Sequence, residues 1–236
     1  MQKHAVVLSM LALVAAATAC SGQLSSTFDT SNENWRVATL SQPFNSGAGP
    51  AYPGTVVVAP FLGLLGNPAG SIGYQTDPGD YQYFLTPSAW NGNLGSYMNG
   101  TITWQYRWTT SAGTWNNGWG DIAIRDTVNN RWIVADVTSV VPPQNVWNSF
   151  SVNLNTTGGW RIGSTGGALA TDAQILAALQ NMGGVFIRGE AVTGTVETYQ
   201  LDNFRWTTPV PEAGTMASFG AFLSMGLFWL RRRVTS

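Results

Sequence analysis

Apolar and polar residues alternate with a period of two through the middle of the chain, which is typical of half-buried β-strands. Over 101–108 the residues that alternate with Thr, Gln and Arg are all large and apolar, namely Ile102, Trp104, Tyr106 and Trp108. The same alternation over 149–154 turns Phe150, Val152 and Leu154 inward. Further strands are predicted at 121–126, 132–137, 185–188 and 198–206. Because turns rich in Gly and Asn separate these strands, the pattern favours an all-β sandwich.

One segment breaks this rhythm and predicts a short helix over 171–180. Thr171 suits the N-cap, and Gln174 stands three residues later, where it completes a capping box. An apolar stripe is formed by Ile175, Leu176 and Leu179. Gly183 is expected to stop the helix. A single helix of this kind is expected to cover an open end of the sandwich core.

The composition fits an exported β-rich domain and excludes several kinds of site. Charged residues make up 10% of the chain, which also has 27 Gly and 11 Trp, so the chain does not resemble a disordered one. The single His4 and the single Cys20 both lie near the N-terminus. The middle of the chain therefore has no disulfide, no His or Cys zinc site and no Ser–His–Asp or Cys–His catalytic group.

The charge between the two ends argues against a nucleic-acid partner. This region has seven Arg and no Lys against twelve carboxylates, which leaves a net charge of −5. A mildly acidic domain without Lys lacks the basic surface that phosphate contacts require. No cofactor is expected, apart from a structural Ca²⁺.

The first residues, 1–21, have the three parts of a secretory signal peptide. A basic start at Lys3 precedes an apolar helical run over 5–17, and 17–19 is a small-residue cleavage site. The alternative is a buried N-terminal helix. Cys20 directly follows the cleavage site, so the segment also resembles a weak lipobox of bacterial lipoproteins. Acylation of this cysteine would anchor the chain by its N-terminus.

The other end, 210–233, has a second three-part arrangement. A short motif at its start consists of Val210, Pro211 and Glu212. An apolar stretch over 213–230 follows, and its length is near the lower limit for a transmembrane helix. The basic cluster after it consists of Arg231, Arg232 and Arg233. Such a cluster stays cytoplasmic, which would leave the domain outside the inner membrane. A plain C-terminal membrane anchor is the simpler alternative.

This arrangement resembles the PEP-CTERM sorting signal, in which a Pro-Glu-Pro motif precedes an apolar helix and a basic cluster. Ala213 replaces the second Pro of the motif. The resemblance implies processing by an exosortase in Gram-negative bacteria that make exopolysaccharide. It also implies export to the cell surface or the extracellular biofilm matrix, after transient anchoring in the inner membrane.

Segments in the middle of the chain resemble a second known family. In that family a bulky residue precedes a Gly-containing turn, and a Tyr-x-x-Gly motif leads into the first long strand. These segments are 70–74, 83–84, 87–93, 97–102, 147–150, 185–189 and 201–204. Together with the predicted helix, they make 24–207 similar to a laminin B (laminin IV type A) domain. The resemblance implies a galactose-binding-like jelly roll with a structural or recognition role outside the cell, and no catalytic residues.

A candidate carbohydrate contact lies at a tight turn and consists of Trp115, Asn116, Asn117 and Trp119. Asn117-Gly118 is a strong turn signal, and a turn tip is expected to hold both indoles near solvent. A flat ring stacks on the apolar face of a sugar, and nearby amides bind its hydroxyls. The alternative is that the two indoles pack on the edge of a sheet.

Two sets of carboxylates are candidates for a Ca²⁺ site, since this cation prefers oxygen ligands. Asp77 and Asp80 share one turn, and Asp29 and Asp202 lie near opposite ends of the domain. The first and last strands of a jelly roll often neighbour each other, so the second pair would share one ion. The alternatives are ordinary turn chemistry and an ion pair with Arg205.

Three functions are compatible with these features. The first is a non-catalytic module that binds polysaccharide or another matrix component, and the second is a structural or adhesive protein that associates with itself. The third is a glycosidase, which needs two carboxylates across a cleft. The available carboxylates are Asp121, Asp126, Asp136, Glu190 and Glu197. No spacing marks a catalytic pair among them, so the non-enzymatic functions are favoured.

Overall fold

The computed structural model describes residues 23–52, 54–75, 81–192 and 194–209. The predicted signal peptide with Cys20, the predicted sorting signal over 210–233, and the turn with Asp77 and Asp80 lie outside these residues. Within the described part of the chain, no helix has the length and apolar character needed to cross a membrane.

Twelve strands and one α-helix are formed by the described residues. The strands are β1 (Leu24–Ser26), β2 (Arg36–Leu40), β3 (Thr55–Val58), β4 (Ile72–Gln75), β5 (Tyr81–Leu85), β6 (Thr101–Thr110), β7 (Ile122–Asp126), β8 (Arg131–Ala135), β9 (Asn148–Asn153), β10 (Arg161–Ile162), β11 (Met182–Arg188) and β12 (Glu197–Thr207). The helix is α1 (Asp172–Gln180). The predicted sandwich with one short helix is therefore confirmed.

All strand pairings are antiparallel and form two sheets, named here sheet A and sheet B. In sheet A, β1 and β4 pair with different parts of β12, β6 pairs with the other side of β12, and β9 pairs with β6. Sheet B has the order β10-β8-β7-β11-β5-β2-β3. Strand β9 is thus an edge of sheet A, and β3 is an edge of sheet B.

The main core lies between the two sheets. The predicted inward residues of β6 are all at most 3% exposed, namely Ile102, Trp104, Tyr106 and Trp108. Apolar residues of β12 share this core: Tyr199, Leu201, Phe204 and Trp206. Aromatic contacts connect its two halves, for example Phe84 of sheet B and Tyr199 of sheet A, whose ring centroids are 5.0 Å apart. The alternation seen in the sequence therefore defines which face of β6 is buried.

A second core covers the outer face of sheet B. Its members include Leu40, Phe44, Tyr83, Trp132, Val134 and Phe186. The chain between β2 and β3 folds over the sheet, with Phe44 4.8 Å from the Trp132 ring and Pro50 O accepting a hydrogen bond from Trp132 Nε1 at 2.9 Å. The prediction of a half-buried β7 is therefore wrong, because all five of its residues are buried.

Helix α1 begins as the sequence predicts. The Thr171 side chain accepts from the Gln174 amide, and the Gln174 side chain accepts from the Thr171 amide, so both halves of the capping box are present. Ile175 and Leu179 are buried in the main core. The predicted stop at Gly183 is wrong, because Asn181 ends the helix and Gly183 already belongs to β11.

Candidate functional site

The two indoles of the predicted carbohydrate contact are buried. Trp115 is 6% exposed and Trp119 is 8% exposed, so the expectation that the turn holds them near solvent is wrong. Both rings lie against the guanidinium of Arg188, whose central carbon is 4.0 Å from the Trp115 centroid and 5.3 Å from the Trp119 centroid. A cation over an indole face stabilises such packing, and rings buried to this degree are not open to a sugar. In this turn Asn117 is exposed.

Arg188 connects the turn to the rest of the domain where β11 ends. Its Nη2 donates to Asn116 O at 2.7 Å and to Ala191 O at 3.2 Å, and its Nε donates to Glu190 O at 2.9 Å. Its Nη1 lies 3.6 Å from Asp121 Oδ1 in a buried ion pair. The indoles, the guanidinium and this carboxylate thus form one buried network.

Four of the five carboxylates considered for a glycosidase are buried, and two of these four are in ion pairs. Asp121, Glu190 and Glu197 are each at most 3% exposed. Burial raises the pKa of Glu197 to about 7, although its carboxylate accepts the amide hydrogens of Ala191 and Val192. Asp126 is paired with Arg131 at 3.0 Å. These four carboxylates are held by the interior of the fold and do not line an open cleft.

The fifth carboxylate, Asp136, lies beside Asp121. Burial and the Asp121 carboxylate raise the pKa of Asp136 to about 6. Asp121 Oδ2 is itself held by the amides of Val137 and Thr138 and by the Thr138 hydroxyl, at 2.6 to 2.9 Å. The Asp136 carboxyl group therefore lies next to a carboxylate that the backbone and the Thr138 hydroxyl already hold in place.

An open groove of about 560 Å³ crosses the outer face of sheet A. Its polar lining consists of Thr103, Gln105, Ser149, Ser151, Asn203 and Arg205. The register of the sheet brings these residues together, because Thr103 lies opposite both Ser151 and Arg205, and Gln105 lies opposite Ser149. The alternation that buries Trp104 turns its two neighbours on β6 outward. We call this surface the sheet A groove.

The loop before β4 closes one side of the sheet A groove. Asn203 Nδ2 donates to Gln105 Oε1 at 3.0 Å and to Asn67 O at 2.5 Å. The Asn67 amide donates to Asp202 Oδ2 at 2.6 Å. Both amide side chains of the groove are therefore fixed before any ligand arrives. The stacked rings of Trp104 and Phe150, whose centroids are 5.3 Å apart, also line the groove.

Arg205 differs from the other arginines of the described residues. Six of these have a hydrogen bond or an ion pair within the protein, namely Arg36, Arg107, Arg125, Arg131, Arg161 and Arg188. Arg205 is exposed in the sheet A groove, and within the described ranges it has neither. The alternative of an Asp202–Arg205 ion pair is therefore not realised.

The predicted calcium pair, Asp29 and Asp202, is brought into one region. Burial raises the pKa of Asp202, and the nearby Asp29 carboxylate contributes in the same direction. Both oxygens of Asp202 accept backbone amide hydrogens, from Asn67 and Asn203, each at 2.6 Å. Among the described residues no three His, Cys, Asp or Glu side chains are grouped as metal ligands. Calcium binding by this pair stays a prediction.

The sheet A groove was not predicted as a site, although its signal is present in the sequence. The polar face of β6 is visible in the alternation over 101–108. The sequence does not show which residues of β9 and β12 lie beside that face, because strand register depends on the whole fold. The aromatic turn was predicted as a site because all of its residues lie within five consecutive positions of the sequence.

The fold is similar to that of solved structures, although sequence comparisons find no relative. No protein-family model matches the sequence, and no curated protein matches it either. The L4b domain of human laminin alpha-2 has a similar structure, with a TM-score of 0.58 and 11% identity over 80% of this chain and 98% of that domain. A family 11 carbohydrate-binding module of the Clostridium thermocellum cellulase Lic26A-Cel5E has a TM-score of 0.40 and 12% identity, over 81% of this chain and 89% of that module. The cellulose-induced protein Cip1 has a TM-score of 0.44 and 15% identity, over 79% of this chain and 98% of that protein.

The similarity to the laminin domain establishes the architecture of this chain. The protein contains a jelly-roll β-sandwich of the laminin-like kind that the sequence resemblance implied. At 11% identity this similarity shows the fold alone.

Proposed function

We propose that this protein is an exported, non-catalytic module that binds polysaccharide or another matrix component through the sheet A groove. The observation that carries the proposal is the groove itself, an open surface lined by hydroxyl, amide and guanidinium groups. Such groups supply the donors and acceptors that pair with sugar hydroxyls. Because Gln105 and Asn203 are already hydrogen bonded to each other, a ligand would meet two amides that need little ordering.

The two ends of the chain support the same function. A signal peptide over 1–21 and a sorting signal over 210–233 would deliver the domain to the cell surface or the matrix. An exosortase-type enzyme would be the processing partner, and the exopolysaccharide of the producing cell would be the nearest ligand. Lipidation at Cys20 would instead retain the domain at a membrane.

Retention on the exopolysaccharide of the producing bacterium tests this function. The exported protein is passed over immobilised exopolysaccharide, together with Asn203→Ala and Ser151→Ala variants of the groove. The matched control is Asn117→Ala, which shortens an exposed amide at the aromatic turn. We expect the groove variants to elute early and the control to behave like the wild type. Early elution of Asn117→Ala alone would move the site to the turn.

Self-association is the second candidate function, and one surface favours it. Large apolar side chains are exposed on edge strand β3 and in the loop after it, namely Val57, Val58, Phe61, Leu64 and Leu65. Within the described residues β3 pairs with β2 alone, so its other edge offers unpaired backbone groups. An apolar surface of this kind next to an open strand edge is a recognised association surface.

Sedimentation velocity over a range of protein concentrations tests the second function. Val58 is 69% exposed, and Val128, in the turn between β7 and β8, is 71% exposed. If the protein assembles through β3, Val58→Lys abolishes the association and Val128→Lys leaves it unchanged. A monomer at every concentration rejects the structural role and leaves the binding module.

A further inference from the structure

The sheet A groove contains a positive charge, that of Arg205, which forms no ion pair with the described residues. Arg205 is the lining residue that carries a formal charge, and the others are hydroxyl, amide or aromatic side chains. Its guanidinium is exposed and, in the part of the chain that the structure describes, has no hydrogen bond or ion pair. A guanidinium offers five N–H donors in a planar fork that matches a carboxylate. The fork is therefore available to a ligand.

Asp202, the acid nearest to Arg205 in the sequence, does not neutralise this charge. Asp202 is 0% exposed, and its two oxygens are occupied by the amides of Asn67 and Asn203. The loop before β4 covers it, since Asn67 is bound to Asp202 and Asn203 at once. The buried carboxylate thus lies behind the groove, while the guanidinium lies inside it.

A second arginine lies on the same face of sheet A. Arg107 is four residues from Thr103 along β6, a distance of roughly 13 Å, and Thr103 is paired with Arg205. Arg107 is half-buried and donates to Gln200 at 3.1 Å. It adds positive potential along the strand direction but has less freedom to meet a ligand. Two cations on one face suit a polymer that presents negative groups at intervals.

The net charge of the domain opposes a general attraction for polyanions. The region between the two ends has a net charge of −5, so a polyanion is repelled by the domain as a whole. Binding of an acidic polymer is therefore expected to depend on a local cation such as Arg205 and not on general electrostatic attraction. This distinguishes the domain from basic proteins that collect any polyanion.

From these observations we infer that the ligand of the sheet A groove is an acidic polysaccharide, whose uronic carboxylates pair with the Arg205 guanidinium. This inference rests on the proposed polysaccharide function and names its ligand class. The amides of Gln105 and Asn203 and the hydroxyls of Ser149 and Ser151 bind the sugar hydroxyls on either side. Bidentate guanidinium–carboxylate pairs are stronger than neutral hydrogen bonds, so the charged group selects the polymer.

The test compares three polymers with matched or related backbones. Affinity electrophoresis of the exported protein is run in gels containing polygalacturonate, its full methyl ester, or alginate. We expect retardation by the two acidic polymers and much weaker retardation by the ester, which keeps the hydroxyls and loses the charge. Arg205→Gln should weaken binding to the acidic polymers about tenfold, and Arg205→Lys should fall between, because the lysine keeps the charge without the fork.

The control for charge is Arg161→Gln, which removes the same charge from β10 in sheet B. Its retardation should equal that of the wild type. Equal binding of the ester and the acidic polymer, with Arg205→Gln unaffected but Asn203→Ala impaired, overturns the acidic ligand and keeps the groove. An absence of retardation in all three gels and on the native exopolysaccharide overturns both the ligand class and the proposed function.

Discussion

The central guanidinium carbon of Arg188 lies 4.0 Å from the centroid of the Trp115 ring, where β11 ends. The same guanidinium is 3.6 Å from the Asp121 carboxylate, and both charged groups are almost fully buried. A cation from one strand thereby holds an aromatic turn that begins more than seventy positions earlier in the sequence. The aromatic turn is therefore part of the domain's interior, and its two indoles are not a recognition surface.

The Arg188 network predicts a large loss of stability on a single substitution. Arg188→Met leaves Asp121 buried without its cation and removes the stacking on both indoles. Breaking a buried pair from one side costs about 3–5 kcal/mol, so we expect the free energy of unfolding in urea to fall by about 3 kcal/mol. Arg205→Gln is the matched control, and it should change stability by less than about 0.5 kcal/mol. Equal effects of the two substitutions would contradict the network.

The second core predicts that the segment after β2 is integral to the domain. Phe44 is 0% exposed and contacts both Tyr83 and Trp132 at 5.0 and 4.8 Å. Phe44→Ala should therefore destabilise the protein by about 3–5 kcal/mol. Phe61→Ala removes a ring that is 38% exposed and serves as the comparison, with an expected loss of less than about 1 kcal/mol. If Phe44→Ala is no worse than Phe61→Ala, the segment does not close sheet B.

Glu197 predicts that stability rises as the pH falls below neutral. Its pKa is raised from 4.5 to about 7 in the folded protein, so between these values the folded state binds a proton that the unfolded state releases. The stabilisation is complete below about pH 4.5 and is lost as the pH rises through about 7. It amounts to roughly 3 kcal/mol.

Unfolding in urea at about pH 5 and about pH 8 measures this dependence. Glu197→Gln has the same shape without the titrating proton, and Asp136 titrates in both proteins. The wild type should therefore gain more stability on acidification than the variant gains. An equal gain in both proteins would mean that Glu197 does not titrate in this range.

Calcium binding by Asp29 and Asp202 has its own test. An ion that binds only the folded state stabilises it by RT ln(1 + c/Kd) at a free ion concentration c, so the melting temperature rises with the logarithm of the ion concentration once this exceeds the dissociation constant. Millimolar CaCl₂ should raise the melting temperature of the wild type, and Asp29→Asn should abolish the rise. The equivalent test with MgCl₂ is the control for ionic strength. A melting temperature that is insensitive to CaCl₂ and to EDTA rejects the site.

Local features of the sequence predicted most of the fold. The buried face of β6 follows from strict alternation, and the start of α1 follows from the Thr171 and Gln174 capping box. Burial on both sides of β7 did not follow, because the cover comes from Phe44 and Pro50, far away in the chain. Alternation of apolar and polar residues predicts which face of a strand is buried, but it does not show whether a distant segment also covers the other face.

The same distinction explains the site. The turn at 115–119 combines indoles with Asn-Gly, a local signal that predicts exposed rings, but Arg188 lies about seventy residues further along and buries them. The sheet A groove combines short polar segments of β6, β9 and β12 that are separated by dozens of residues. Hydroxyl and amide side chains on a strand have no distinctive motif, so their convergence becomes visible only with the register of the sheet.

The most direct measurement is a map of backbone amide shifts in the ¹⁵N-labelled exported protein, as fragments of the bacterium's exopolysaccharide are added. The proposed function predicts that the shifts concentrate at Thr103, Gln105, Ser151, Asn203 and Arg205, on three strands of sheet A. Shifts confined to the turn at Asn117 or to β3, or no shifts at saturating polysaccharide, would contradict binding in the sheet A groove.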